Sequence, residues 1–148
     1  MARRAKVVIP EIPHHITHRG NLRAQVFFCD EDRIFYLSML AQCVRKFGAE
    51  VWAYCLMSNH IHLIAVPHSE ESLGRALGQA HQRYSAVVNS RHGWTGNLWA
   101  NRFHSSPMDD DYLWKAVCYV KWNPVRAGIV PAAVDYRWSS AGAHSGIC

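Results

Sequence analysis

The spacing of apolar residues along the chain changes several times, and each change marks a boundary between predicted elements. Short segments that are almost wholly apolar, or that alternate apolar with polar residues, predict strands. Segments in which apolar residues return every three or four positions predict helices. In chain order the pattern indicates a strand, a helix, two strands, a helix, a weak strand and a final helix.

Acidic residues at the start of each helical segment favour a helix there, because the helix dipole stabilises negative charge at its N-terminus. Gly48 and Gly93 follow the first two segments, as glycine commonly follows a helix. We expect Pro124 to end the third segment, because proline disfavours helical geometry at the residue before it. The predicted helices span residues 30–47, 69–92 and about 109–123.

The strand segments are short, and Ser58-Asn59 between the second and third predicts a tight turn. This order of elements indicates an α+β fold, a ferredoxin-like or RRM-like antiparallel sheet with helices packed on one side of it. Since neither a repeat nor a linker divides the chain, we expect one domain over residues 1–148. The predicted strands span residues 12–17, 51–57, 60–66 and 102–105.

The composition narrows the class of protein. Of the 148 residues, 49% are hydrophobic and 18% are charged, which is typical of a globular protein and excludes disorder. The longest apolar run, Val51 to Met57, is much shorter than the ~20 residues of a membrane span. The first ten residues lack the apolar stretch of a secretory signal. We therefore expect a cytoplasmic protein with no membrane partner.

Charge and cysteine content add two further expectations. The formal net charge of +5 suits an anionic partner such as nucleic acid. The five cysteines include no Cys-x-x-Cys pair, which argues against a disulfide framework or a structural zinc site and predicts reduced thiols.

His60-Ile61-His62 is the most informative tripeptide. Residues i and i+2 of a strand point to the same face, so both imidazoles project side by side and are able to share a metal ion. The alternative is a solvated sheet face that carries two polar residues. A third ligand is needed to distinguish the two interpretations.

Related metal motifs do not fit this strand. A His-x-His-x-His hydrolase needs a histidine where Ile64 stands, and a zincin needs His-Glu-x-x-His. A zinc deaminase needs a downstream Pro-Cys-x-x-Cys, which the chain lacks.

The third predicted helix supplies a candidate ligand. Tyr119 and Asn123 are four residues apart and therefore lie on one helix face, with Tyr112 close to it. The Asn123 amide oxygen, together with His60 and His62, would leave open metal positions for water or phosphate oxygens. Alternatively, Tyr119 is a core residue with its hydroxyl at the surface, and Asn123 only ends the helix.

Several motifs resemble the single-tyrosine HUH transposases, and within them the branch associated with repetitive extragenic palindromes in bacteria. They cover nearly the whole chain in the family's order. The motifs are ITHRGN at 16–21, MSNHIHL at 57–63, LWANRF at 98–103, YVKWNPVRAG at 119–128 and DYRWSS at 135–140.

The resemblance implies that Tyr119 is the nucleophile and that His60, His62 and Asn123 bind the metal. It implies cleavage and rejoining of single-stranded DNA with palindromic hairpins, through a 5′-phosphotyrosine and without ATP. Oxygen ligands favour Mg²⁺, whereas two imidazoles favour Mn²⁺, and either ion is expected.

The chain departs from the family pattern at a few positions. Ser58 stands where proline is common, His18 where glutamine is common, and Ala100-Asn101 where Glu-Gly is frequent. These departures bear on DNA preference. Loss of an acidic residue at Ala100 would reduce activity if that residue positions a metal or a base.

DNA contacts are expected from side chains outside the catalytic motifs. Trp94, Trp99 and Trp122 are candidates for stacking on unpaired bases, whereas Trp52 and Trp114 are expected in the core. Residues 3–6 form a candidate nucleic-acid arm. The candidate phosphate contacts are Arg19, Arg75, Gln79, Arg83, Arg102 and Arg126.

Two other functions stay open at this point. The first is a domesticated, non-catalytic module that binds nucleic-acid hairpins, and the second is a metal-dependent phosphoesterase with a water nucleophile. A monomer is favoured over a homodimer, since no feature of the sequence demands a dimer.

Overall fold

A computed structural model describes residues 7–144 of the chain. Within that range, short 3₁₀ turns cover Asn21–Arg23, Ala133–Asp135 and Ser140–His144. The candidate nucleic-acid arm at residues 3–6 lies outside the described residues. The main elements are β1 (His14–Arg19), α1 (Asp30–Phe47), β2 (Ala49–Leu56), β3 (His60–Pro67), α2 (Ser72–His92), β4 (His104–Pro107) and α3 (Asp110–Arg126).

The four strands form one antiparallel sheet in the order β2-β3-β1-β4. With α1 and α2 as crossovers, this order is ferredoxin-like, and the predicted α+β class is confirmed. In the central pair, Thr17 of β1 lies opposite His62 of β3, and Arg19 lies opposite His60. The end of β1 and the start of β3 therefore meet at the same end of the sheet.

Each face of the sheet is covered by different helices. Ile61 and Leu63 of β3 join the large core formed with α1 and α2. Ile64, which points to the other face, packs with Val117 and Val120 of α3. The expectation that the helices pack on one side was wrong, because α3 also carries an apolar stripe and buries it on the opposite face.

The third helix does not end where the proline predicted. It continues through the buried Pro124 to Arg126. Pro124 lies in the last helical turn, so the missing N–H removes only one helical hydrogen bond. The amides of Ala127 and Ile129 bond the carbonyls of Asn123 and Pro124, which satisfies the helix end.

Three tryptophans lie where the sequence did not predict. Trp52 is 45% exposed because it is the extra residue where the β2–β3 register shifts between Val51 and Ala53. Trp114 is 58% exposed on the outer side of α3, away from Val117 and Val120. Trp99, expected to stack on bases, is instead 7% exposed and packs in the large core.

A chain of hydrogen bonds crosses the interior between the sheet and the two crossover helices. The Tyr36 hydroxyl lies 2.7 Å from His81 Nε2, and His81 Nδ1 lies 2.8 Å from His18 Nδ1. His18 Nε2 lies 2.7 Å from the carbonyl oxygen of Ala100, so this nitrogen carries the proton. With the proton of His81 on Nδ1, each group donates to the next, from Tyr36 to Ala100, and burial lowers the pKa of His81.

The structure bears on two expectations from the sequence, the absence of a membrane span and the reduced state of the cysteines. Between residues 7 and 144, no helix combines the length and apolarity that crossing a membrane requires. Cys29, Cys43 and Cys55 are free thiols, as predicted. Cys118 is disulfide-bonded, contrary to the prediction of reduced thiols throughout.

Asp32 connects the start of α1 to the end of α2. Its buried carboxylate accepts hydrogen bonds from the Phe28 amide at 2.8 Å and from the Arg91 guanidinium at 2.5 Å. Burial alone raises the pKa of Asp32, but these two donors outweigh it and hold the pKa below its usual value. A carboxyl with a lowered folded-state pKa stabilises the fold above its unfolded-state pKa, and this stability is lost as the pH falls.

We expect Asp32→Asn to lower the free energy of unfolding at pH 7 by about 1–3 kcal/mol. The asparagine is uncharged and has one acceptor oxygen, so it cannot accept hydrogen bonds from both Phe28 and Arg91 as the carboxylate does. Urea denaturation measures this difference, which should shrink as the pH falls through the lowered pKa of Asp32. Asp30→Asn is the matched control, since Asp30 is 58% exposed and lies 3.6 Å from Arg137. Its cost should stay below about 1 kcal/mol. Equal losses for the two variants would contradict the role of Asp32.

Candidate active site

His60 and His62 lie on the sheet face that α3 covers, with ring centroids 5.0 Å apart. His60 Nδ1 lies 2.7 Å from the side-chain oxygen of Asn59, whose amide nitrogen lies 3.4 Å from the Arg23 carbonyl. The Asn59 oxygen therefore faces His60 and accepts its Nδ1 proton. This hydrogen bond leaves His60 Nε2 with a free lone pair.

His62 connects three elements of the fold. Its Nε2 lies 2.7 Å from the side-chain nitrogen of Asn123 on α3, and its Nδ1 lies 3.2 Å from His15 Nε2 on β1. Only 4% of His62 is exposed. The imidazole is thereby held in place from both sides, and the contact with Asn123 brings the third predicted ligand to the site.

His15 is a site residue that the sequence analysis missed. Its ring stacks on His62 with centroids 5.4 Å apart. It shares a face with Thr17, the residue opposite His62, because alternate strand residues point the same way. The available signal was the cluster of histidines at 14, 15 and 18, but only the β1–β3 register shows which histidine faces His62.

Tyr119 stands one helical turn before Asn123 and opens to solvent. It is 50% exposed, so the alternative interpretation of a core tyrosine does not hold. Its ring centroid lies 5.9 Å from that of His62. The Arg126 guanidinium lies 4.0 Å from the Tyr119 ring and donates a hydrogen bond to the Tyr119 carbonyl at 2.5 Å, which restricts the tyrosine from one side.

The two histidines of β3 are uncharged at neutral pH. Burial, together with the positive charge of Arg19, lowers the pKa of His60 to about 4. Burial and the neighbouring His60, His15 and two arginines lower the pKa of His62 to about 3. A neutral imidazole keeps the lone pair that a metal ion requires.

These residues fit a divalent metal ion under one condition. Across residues 7–144, no three histidine, cysteine or carboxylate side chains are grouped to hold a metal. The Asn123 amide beside His62 is the further donor that the sequence predicted, and it would be able to offer its oxygen to an ion if the amide were rotated by half a turn. Two imidazoles and an amide oxygen form a mixed donor set that suits Mn²⁺ or Mg²⁺.

Tyr119 and His62 line a cavity of about 380 Å³ that also includes Arg19, Tyr112 and Lys115. Two of the predicted phosphate-contacting arginines, Arg19 and Arg126, are thus at the site. Lys115, one turn before Tyr119 on α3, adds a cation that the sequence analysis did not single out. The cavity combines a phenol, neutral imidazoles and positive charge, which suits a phosphate group.

The other predicted cations lie elsewhere. Arg75 and Arg83 are exposed on α2, which packs on the opposite face of the sheet. Arg102 lines a second cavity, of about 520 Å³, beside α2. Ala100 lines the same second cavity, so the position of the family's frequent acidic residue is separated from His62 by the sheet.

The comparison with known families gives the class of protein as a DNA-processing transposase. The family model described as "Transposase IS200 like" matches residues 9–123. The chain belongs to this IS200-like transposase family.

Two solved structures share the fold. One is a REP-associated tyrosine transposase bound to a REP hairpin, with a TM-score of 0.81 and 19% identity over 100% of this chain and 88% of that one. The other is a candidate transposase from Deinococcus radiodurans R1, with a TM-score of 0.55 and 20% identity over 81% of this chain and 96% of that one. Among curated proteins, none matches the sequence.

The contact between Asn59 and His60 predicts the tautomer of His60. At pH 7 we expect His60 to carry its proton on Nδ1, because the Asn59 oxygen accepts it. Long-range ¹H–¹⁵N NMR spectra of the imidazoles distinguish the tautomers. Asn59→Ala should shift His60 toward the Nε2–H form, while Asn59→Asp should keep Nδ1–H. An Nε2–H His60 in the unaltered protein would contradict this assignment.

Proposed function

We propose that this protein binds single-stranded DNA containing palindromic hairpins and that Tyr119 cleaves and rejoins the strand. The observation that carries the proposal is a cavity lined by Tyr119, His62, Arg19 and Lys115, with the Asn123 side chain in contact with His62 at 2.7 Å. Membership of the IS200-like family supports the reaction class. The similar structure bound to a REP hairpin supports hairpin DNA as the partner.

In the proposed reaction, the Tyr119 oxygen attacks the phosphorus of the scissile phosphate. A Tyr119 O–P bond forms and the bond from phosphorus to the 3′ oxygen breaks, which leaves a 5′-phosphotyrosine and a 3′-hydroxyl. The phenol proton leaves to water, and the departing 3′ oxygen takes up a proton. A second 3′-hydroxyl reverses these steps and releases Tyr119, so joining needs no ATP.

The site residues would position the reacting groups and stabilise charge, and none of them would act as a strong base. Arg126 restricts Tyr119 from one side, while Arg19 and Lys115 attract the phosphate. His60, His62 and Asn123 would hold a divalent ion, which when bound stabilises the negative charge that develops on the phosphate oxygens. We further propose that Tyr119 acts within its own chain as a monomer, since its ring already lies 5.9 Å from His62.

A covalent product tests the nucleophile. With Mn²⁺ and a labelled single strand carrying a hairpin, the protein should form a covalent DNA adduct that survives a denaturing gel. Tyr119→Phe should abolish the adduct, because it removes the attacking oxygen and leaves the ring in place. Tyr112→Phe, which alters a second exposed tyrosine in the same cavity, should retain it.

The other outcomes identify the alternatives. Binding without an adduct, across hairpin sequences and with both metals, would indicate a non-catalytic hairpin-binding protein. Cleavage that survives Tyr119→Phe would indicate a phosphoesterase with a water nucleophile. Either result would overturn the proposed reaction.

Metal affinity tests the proposed ligands independently of activity. We expect His62→Ala and Asn123→Ala each to weaken Mn²⁺ binding by about tenfold or more, measured by titration with detection of free Mn²⁺ by EPR. Tyr119→Phe and His92→Ala should bind Mn²⁺ like the unaltered protein, because neither removes a proposed ligand. Unchanged affinity in Asn123→Ala would exclude the amide as a ligand.

A further inference from the structure

The segment of residues 20–25, which we call the rim loop, holds an unusual backbone conformation. Leu22 (φ 55°, ψ 29°) and Arg23 (φ 61°) both occupy the left-handed region. Residues other than glycine, asparagine and aspartate avoid this region, and two in succession are rarer still. Such strain persists only where the surrounding structure imposes it, and it concentrates at functional sites.

The surroundings do impose it. The Gly20 amide donates to the Asn59 carbonyl at 2.9 Å, and the Asn21 amide donates to the Leu98 carbonyl at 2.9 Å. The Ala24 amide closes the loop on the Asn21 carbonyl at 3.0 Å. Even a methyl group on Gly20 would lie 2.0 Å from the Ala24 oxygen. The rim loop is therefore fixed in one conformation.

This fixed conformation exposes an apolar side chain. Leu22 is 93% exposed, more than any other large hydrophobic side chain in residues 7–144. It makes no contribution to the core, so its strained backbone is not explained by packing. The loop begins directly after Arg19, and residues 19–28 contain two arginines and no acidic residue. A leucine beside two cations suits a partner that combines apolar surfaces with negative charge.

The rim loop lies beside the candidate active site. Arg19 is opposite His60 in the sheet, and the Asn59 side chain contacts both the Arg23 carbonyl and His60. Leu22 therefore stands at the end of the sheet where the site opens, next to the strand that carries the proposed ligands.

We propose that Leu22 is a wedge that contacts a nucleobase at the junction between the hairpin stem and the single strand, while Arg23 contacts the adjacent phosphate. This inference rests on the proposed function and adds to it the position at which DNA is opened. An apolar side chain inserted beside a base step unstacks it, and the base surface covers the exposed leucine. The strain holds Leu22 outward, so the wedge exists before DNA arrives.

Leu22→Asn tests the wedge, because asparagine is similar in size, tolerates left-handed backbone and is polar. With a flanked hairpin carrying 2-aminopurine at the junction, we expect about tenfold weaker binding and no increase in fluorescence. The melting temperature should rise by about 2 °C, because strain is relieved. A residue with only a structural role would not combine higher stability with weaker binding.

Two control variants complete the test. Leu22→Met should retain both the affinity and the fluorescence increase, and Ile34→Asn, at an apolar position 52% exposed on α1, should behave like the unaltered protein. If Leu22→Asn binds and unstacks the junction normally, the wedge is wrong, and a Tyr119 adduct in the same samples would leave the proposed function intact. If hairpins bind but no adduct forms, the proposed reaction is wrong. The affinity and fluorescence of Leu22→Asn, compared with those of the unaltered protein, then still show whether Leu22 contacts the junction.

Discussion

The antiparallel pairing of β1 with β3 is the constraint on which both the apolar core and the candidate active site depend. Because strand side chains alternate, the register that sets Thr17 opposite His62 also sends His15 to the site and His18 to the opposite face. A slip of one residue would exchange those histidines. His15 would then enter the apolar core without its partner, and His18 would lose its hydrogen bonds to His81 and Ala100. One register therefore fixes the core and the chemistry together.

The opposite face of the sheet depends on α3. This helix buries Val117 and Val120 against β2 and β3, which places Tyr119 at the edge of the contact and Asn123 against His62. The same burial lowers the pKa of His60 and of His62, so the packing of α3 and the neutral state of both imidazoles have one cause. The helix continues past the buried Pro124 to Arg126. Because Arg126 is still helical, its guanidinium lies over the Tyr119 ring.

Local patterns predicted much of this arrangement, because they depend on neighbours in sequence. The limits of α1 are those expected from the spacing, and Tyr119 and Asn123 share a face as a four-residue separation requires. What local patterns could not predict depends on pairing between distant segments. The position of His15 beside His62 depends on the β1–β3 register, and the exposure of Trp52 follows from a bulge in the β2–β3 pairing. The sheet face against which α3 packs depends on which face α1 and α2 leave uncovered.

Two groups of histidines lie on opposite faces of β1, and they differ in whether a ring nitrogen remains available. The chain from Tyr36 through His81 and His18 ends on the Ala100 carbonyl, so its ring nitrogens are all used within the fold. On the other face, the Asn59 contact leaves a nitrogen of His60 free at the cavity end of the sheet. The Ala100 amide donates to the Arg19 carbonyl, which ties the closed network to the strand end where the rim loop begins. This chain of hydrogen bonds thus connects the interior to the end of the sheet at which His60 and the strained rim loop lie.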